Sequence, residues 1–191
     1  MSLSKPSYLS PLIFALTFFF LSCANWTRHQ VEENYGNEVD KYALQYQIPA
    51  HYLKALIVLE SSGKKEVKPR FEKKVYHILK DVQRGKRSLE KITANDLKGC
   101  SDEALRNLAS SWGPFQLMGY KCLQLGIQVQ DLRGEDAVKW AIHWINLTYG
   151  DYLRQGNFEA AFRIHNTGSP TGRTHDTNYV KNGMKHMKMF E

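Results

Sequence analysis

The sequence predicts an all-α, mainly helical fold with a small β-hairpin near residues 64–72. Three observations carry that expectation. Apolar residues recur at helical spacing through most of the chain. Long alternating runs of β-branched residues are absent. Proline and glycine punctuate the helices where entry and exit need them, as with Pro49 ahead of "AHYLKALIVLESS" and Gly63 behind it. The 191 residues fit one domain with short extras, and four Trp, nine Phe and ten Tyr are enough for a real core.

Residues 1–22 read as a signal peptide. Lys5 precedes "LIFALTFFFL" (Leu12 to Leu21), an apolar stretch about half as long as a bilayer span requires. The stretch ends in "FLSC", which resembles a bacterial lipobox with Cys23 as the lipidated first mature residue, although Phe20 stands where an aliphatic residue is usual. The expectation is export to the periplasm or envelope, with a lipid anchor at Cys23 holding the chain to the membrane. A plain signal peptide cleaved nearby is the alternative. Residues 23–38, with Asn25, Asn34 and Gly36, read as a polar tether, which leaves 39–191 as the domain.

Within the domain, helical spacing starts near Val39 and resumes over Ala50–Glu60. The basic segment 64–70 ends in Pro69 and reads as a loop. "FEKKVYHILKDV" returns to helix, with Phe71, Val75, Ile78, Leu79 and Val82 on one side. The polar stretch "QRGKRSLEKITANDLKGCS" reads as a surface insertion with little chemistry, and "DEALRNLA" as a short helix. "SSWGPFQLMGYKCLQLG" combines a turn at Gly113 and Pro114 with an apolar helix. "GEDAVKWAIHWINLTYGDYL" is amphipathic, with Ala137, Trp140, Ala141, Trp144, Ile145 and Tyr149 facing inwards. "NFEAAFRIHNTG" is a further helix, capped by Asn157.

The charge balance is basic: 26 Lys+Arg against 19 Asp+Glu, a net +7. Such a surface favours polyanions, but no run of five basic residues occurs, so nucleic acid is not an expected partner. HExxH, CxxC, GxSxG and Gly-rich phosphate loops are missing, and the seven His are scattered. No metal or cofactor is expected, and a monomer is. With Cys23 acylated, Cys100 and Cys122 remain. In an oxidising compartment they either pair, closing a loop of about 22 residues worth roughly 3 kcal/mol, or stay as two unpaired buried thiols.

The residue that invites chemistry is Glu60. Leu53, Leu56, Ile57 and Glu60 fall at i, i+3, i+4, i+7 and so share one helix face. Desolvation favours the protonated form of a carboxylate, the state a general acid needs. The ordinary alternative is a helix-terminal Glu in a salt bridge.

Four segments in order, "LESSG" (Leu59–Gly63), "RFE" (Arg70–Glu72), "SWGPFQLMG" (Ser111–Gly119) and "RIHNTG" (Arg163–Gly168), resemble the soluble lytic transglycosylase type domain. That family belongs to the lysozyme-like superfamily and cleaves peptidoglycan; "RFE" is also similar to phage-type N-acetylmuramidase domains. The resemblance spans about residues 40–182. It implies Glu60 as the catalytic acid, followed by Ser61 as in the family's Glu-Ser pair. "GPFQLM" is similar to the family's Gly-Leu-Met-Gln. It implies that Gln116 offers its amide to sugar hydroxyls, with Phe115 and Met118 supplying apolar bulk around Glu60. "IHNTG" stands where the family has Tyr-Asn-x-Gly, implying that Asn166 holds an N-acetyl group, and His165 replaces the usual Tyr. A protonated His there would favour an ionised Glu60, so His165 either stays neutral or alters the pH optimum. Tyr179 resembles a later Tyr that closes the same cleft.

Glu72 decides between reactions. Facing Glu60, it would position a water for hydrolysis; paired with Arg70 or a Lys, it is scaffold. The resemblance thus implies cleavage of MurNAc–GlcNAc β-1,4 bonds in peptidoglycan strands by a transglycosylase. A hydrolytic muramidase and a catalytically silent glycan-binding lipoprotein are the alternatives.

Overall fold

The computed structural model describes residues 26–191. Residues 1–25, with the expected signal peptide and Cys23, lie outside the described part. Residues 26–31 are helical, pass through a π-helical turn (Glu32–Gly36) and continue as α1 (Asn37–Tyr46). The expected tether is therefore corrected from residue 26 onwards. Val31 is fully buried and Tyr35 nearly so, and the otherwise buried Lys54 ammonium is bonded to Glu32 (2.8 Å) and Asp40 (2.9 Å). Polar composition hid this because the apolar residues that pack are few and widely spaced.

Helix α2 (Ala50–Ser61) runs through the centre of the molecule. Every residue from Tyr52 to Val58 is buried, so it is apolar nearly all round rather than striped. Tyr52 packs on Phe162 at 4.5 Å between ring centroids. Strand β1 (Arg70–Phe71) precedes α3 (Lys73–Gln83), and α4 (Asp102–Leu108) leads into β2 (Ser110–Trp112) and β3 (Leu117–Met118). Helix α5 (Lys121–Leu125), a 3-10 turn (Val129–Leu132), α6 (Ala137–Arg154), α7 (Phe158–Thr167) and α8 (Tyr179–Met187) complete the chain. Helix α2 packs against α8, and α6 packs against both α1 and α7.

The mainly helical architecture is as expected, with the hairpin elsewhere. The antiparallel sheet has the order β1-β2-β3, pairing Arg70 with Ser111 and Trp112 with Leu117. The local hairpin is thus 110–118, and residues 70–71 join it across 40 positions of sequence instead of folding back on 64–69. Only Lys121–Leu125 of the expected apolar helix there is helical. Gly113 makes the turn possible: its φ is +69°, and an added Cβ would meet the Leu132 carbonyl oxygen at 2.7 Å. Phe71 lies on β1 and is 42% exposed, not on the inner face of a helix.

Among the described residues, no helix is long and apolar enough to cross a membrane.

Candidate active site

Glu60 leaves the last turn of α2, just beyond the run of buried residues from Tyr52 to Val58. Its side chain is 12% exposed. Among the described residues it has no Lys or Arg partner, so the salt-bridge alternative does not hold. Instead its Oε1 accepts a hydrogen bond from the Tyr179 hydroxyl at 2.5 Å and lies 4.0 Å from His165 Nε2. Tyr179 comes from the start of α8, against which α2 packs. Burial, then the charge of Glu60, pushes the Tyr179 phenol far above its ordinary value, so it stays a donor.

His165 is held in one tautomer by its neighbours. A carbonyl only accepts, so Nε2 carries the proton and donates it to the Phe115 carbonyl at 3.1 Å. Nδ1 then accepts from the Tyr149 hydroxyl at 2.7 Å. Burial lowers the imidazole pKa, outweighing the opposite pull of Glu60 and of the Phe115 carbonyl, while the charge of Lys121 adds to the lowering. Of the two readings open for His165, the neutral ring is the one this environment favours. Tyr149 sits at a break in α6, with φ −146° and ψ 21° inside an otherwise regular helix. The break coincides with the side chain that reaches His165. Tyr52 is fully buried beside Tyr149, the two rings meeting edge to face with centroids 6.4 Å apart.

A groove of about 450 Å³ opens beside His165 and is bordered by Gln116, Met118, Asn166 and Trp144. Met118 is half-buried in its wall, and Asn166 is exposed with no side-chain bond among the described residues.

Three other expectations change. Ser61 is buried and its hydroxyl bonds back to the Ile57 carbonyl at 3.0 Å, so it stabilises the helix end rather than binding substrate. Phe115 is fully buried and beyond the reach of a ligand; its contribution is the carbonyl that fixes His165. Gln116 lines the groove, but its amide is committed to the turn. Its Oε1 accepts from Ser111 Oγ at 2.8 Å, and its Nε2 donates to the Gly113 carbonyl at 3.2 Å. This holds Gln116 at φ +48°, an uncommon value for a side chain with a Cβ.

Glu72 pairs with Arg70 at 2.7 Å on the surface, the scaffold reading. Cys100 and Cys122 are both free thiols, half-buried and buried respectively, and burial pushes Cys122 up to about 11. Of the two readings left open for this pair, the structure has the unpaired thiols.

Sequence reasoning missed Glu90. It lies in the supposedly inert insertion, yet borders the groove and bonds Lys121 at 2.7 Å, with Tyr120 and Gln124 also donating. Burial works against its charge, but these donors outweigh burial and hold the carboxyl below its ordinary value. Lys121 in turn lies 4.9 Å from the ring centre of Trp144. A positive φ of 51° at Glu90 marks the position, and sequence gives no sign of it.

No group of three or more His, Cys, Asp or Glu among the described residues is arranged to hold a metal ion. No protein-family model, curated protein or solved structure matches the chain.

Proposed function

We propose that this chain is a lytic transglycosylase that breaks the MurNAc–GlcNAc β-1,4 bond of peptidoglycan with Glu60 as sole acid and base. The observation that carries the reading is the surrounding of Glu60. It is a nearly buried carboxyl without a cation among the described residues, hydrogen-bonded at one oxygen by Tyr179 and flanked by the neutral imidazole of His165, which itself borders the groove.

The chemistry follows from that surrounding. Glu60 gives its proton to the bridging oxygen as the C1–O bond of the muramoyl unit breaks, and positive charge develops at C1. The carboxylate left behind faces that charge. It then takes the proton of the same sugar's C6 hydroxyl, whose oxygen attacks C1 and closes a 1,6-anhydro ring. Glu60 ends protonated, and no water is consumed. Tyr179 occupies Oε1, which leaves Oε2 to exchange the proton. Pairing of Glu72 with Arg70 supports this route over hydrolysis, because the carboxylate expected to steer a water is engaged elsewhere.

The reading also includes export and lipid anchoring at Cys23, supported by the sequence "LIFALTFFFLSC" alone.

Purified sacculi incubated with the protein test it directly. Mass analysis of the released fragments should find anhydromuramoyl ends. Reducing ends would assign hydrolysis instead. Glu60→Gln should lower release by about 10²–10⁴-fold, the usual worth of a general acid. Equal, near-zero release by both proteins with equal binding would leave a glycan-binding protein.

A further inference from the structure

We propose that Tyr149 is a positioning residue for the cleavage step. The hydrogen bond its hydroxyl donates to His165 keeps the imidazole beside Glu60 uncharged, so the proton those two side chains share stays on Glu60. The inference rests on the proposed function and adds to it a residue that acts on the general acid through a second side chain.

The His165 ring has one donor and one acceptor, and the fold engages both. Its Nε2 donates to the Phe115 carbonyl at 3.1 Å, and its Nδ1 accepts from Tyr149 at 2.7 Å. The bond at Nδ1 is open only to the neutral ring, because a charged ring carries a hydrogen on that nitrogen. Burial pushes the Tyr149 phenol far above its ordinary value, so the phenol keeps the hydrogen it donates. Trp144 and Tyr149 also meet the ring edge to face, each with centroids 6.1 Å away.

The groups around the ring pull in opposite directions. Glu60 from α2 favours a charged imidazole, and so does the Phe115 carbonyl. Lys121 from α5 opposes it, and is itself bonded to Glu90 at 2.7 Å. Tyr179 from α8 and Tyr52 from α2 are phenols that burial keeps protonated. The Tyr149 hydroxyl therefore joins burial and Lys121 in holding the ring neutral against Glu60. A protonated imidazole 4.0 Å from Oε1 would instead hold Glu60 as the carboxylate, with nothing to give the bridging oxygen. One proton serves two coupled sites, and Tyr149 biases which of them carries it.

The backbone is shaped for this contact. The φ of −146° at Tyr149 lies about 80° from the helical value, which redirects the side chain. The neighbouring residues brace the break. Arg154 Nη1 donates to Asn146 Oδ1 at 2.9 Å and to the Tyr46 carbonyl at 3.0 Å, spanning the distorted turn. Gly150 leaves room for that brace: an added Cβ would come within 2.8 Å of Asn146 Oδ1 and 2.9 Å of the Arg154 guanidinium.

The state of His165 can be followed separately from murein cleavage. In protein with 15N-labelled histidine, its ring signals are identified by their loss in His165→Asn. Tyr149→Phe should make the ring bind a proton about tenfold more tightly, the scale of one hydrogen bond. Fragment release from sacculi as a function of pH is the second readout. In Tyr149→Phe the alkaline limb of the profile should move to lower pH, where Glu60 regains its proton although the ring is charged. Combined with His165→Asn, Tyr149→Phe should move the limb no further, because Asn takes no charge. Thermal unfolding verifies that the variants fold. A ring that titrates identically with and without the hydroxyl overturns the proposal, as does a displaced limb that persists once His165→Asn is present. A limb that stays in place in Tyr149→Phe while the wild type cleaves sinks this inference alone. Sacculi left intact by the wild type at every pH sink the proposed function, and this inference with it.

Discussion

Tyr179 and His165 do different work on one carboxyl, and each can be tested alone. Tyr179→Phe keeps the ring against Phe162 but removes the donor to Glu60 Oε1. Murein release should fall about ten- to a hundredfold, the scale of one hydrogen bond to a charged group. Its thermal midpoint should move little. His165 governs pH dependence of stability. Burial depresses its pKa in the fold, and does the same for His51 and His186. As pH falls through the ordinary imidazole value, the unfolded chain takes up protons that the folded rings refuse. Stability is therefore full above about 6.5 and declines below it, down to the depressed folded values. Urea midpoints between pH 7.5 and 5 should show the decline, and His165→Asn should make it shallower. At this scale Glu60 was legible because one helix carries both it and the apolar residues that bury it. The Tyr149–His165–Phe115 chain was not. Its partners are 16 and 50 positions apart, and only packing brings them together.

Elements with strong internal periodicity were read correctly, and those defined by pairing were not. The spacing of α6 and α7 is a local property, so it is visible in the residues themselves, whereas α2 was legible as a helix but not as one buried nearly all round. Strands of two or three residues have too few positions to alternate, and β1 exists only because Arg70 and Phe71 find Ser111 and Ser110. The insertion was misjudged for a similar reason: Leu97 is fully buried and Ile92 nearly so, yet neither sits in an apolar run. The contact between α8 and α7 offers a test at this scale. A Cβ built on Gly183 would come within 2.7 Å of the Phe162 ring, and that ring is fully buried and cannot withdraw. Gly183→Ala should cost about 1–3 kcal/mol through overpacking, read as a thermal midpoint lower by about 2–4 °C per kcal/mol. Because α8 carries Tyr179, activity should fall with it.

Across the whole molecule, the N-terminal segment is where composition misled most. Asn, Glu and Gly in 23–38 read as a tether, yet Asn34 and Tyr35 fasten the loop that follows Glu60, and Glu32 satisfies Lys54. Part of that polarity makes bonds to the domain, while Glu33 and Asn37 remain exposed to water. The chain is already helical at Trp26, and that fixes a leash length. From an acylated Cys23 to Trp26 there are three Cα–Cα steps, no more than about 11 Å. An anchored molecule would therefore lie against the lipid headgroups, with its 67% exposed Trp26 at the depth where such rings settle. Its reach would end at the innermost glycan layer. A 20-residue Gly-Ser spacer between positions 25 and 26 adds about 25 Å of root-mean-square reach. If the proposed anchor at Cys23 holds, protein on vesicles over an immobilised wall layer should, with the spacer, release strands that the chain without it leaves uncut.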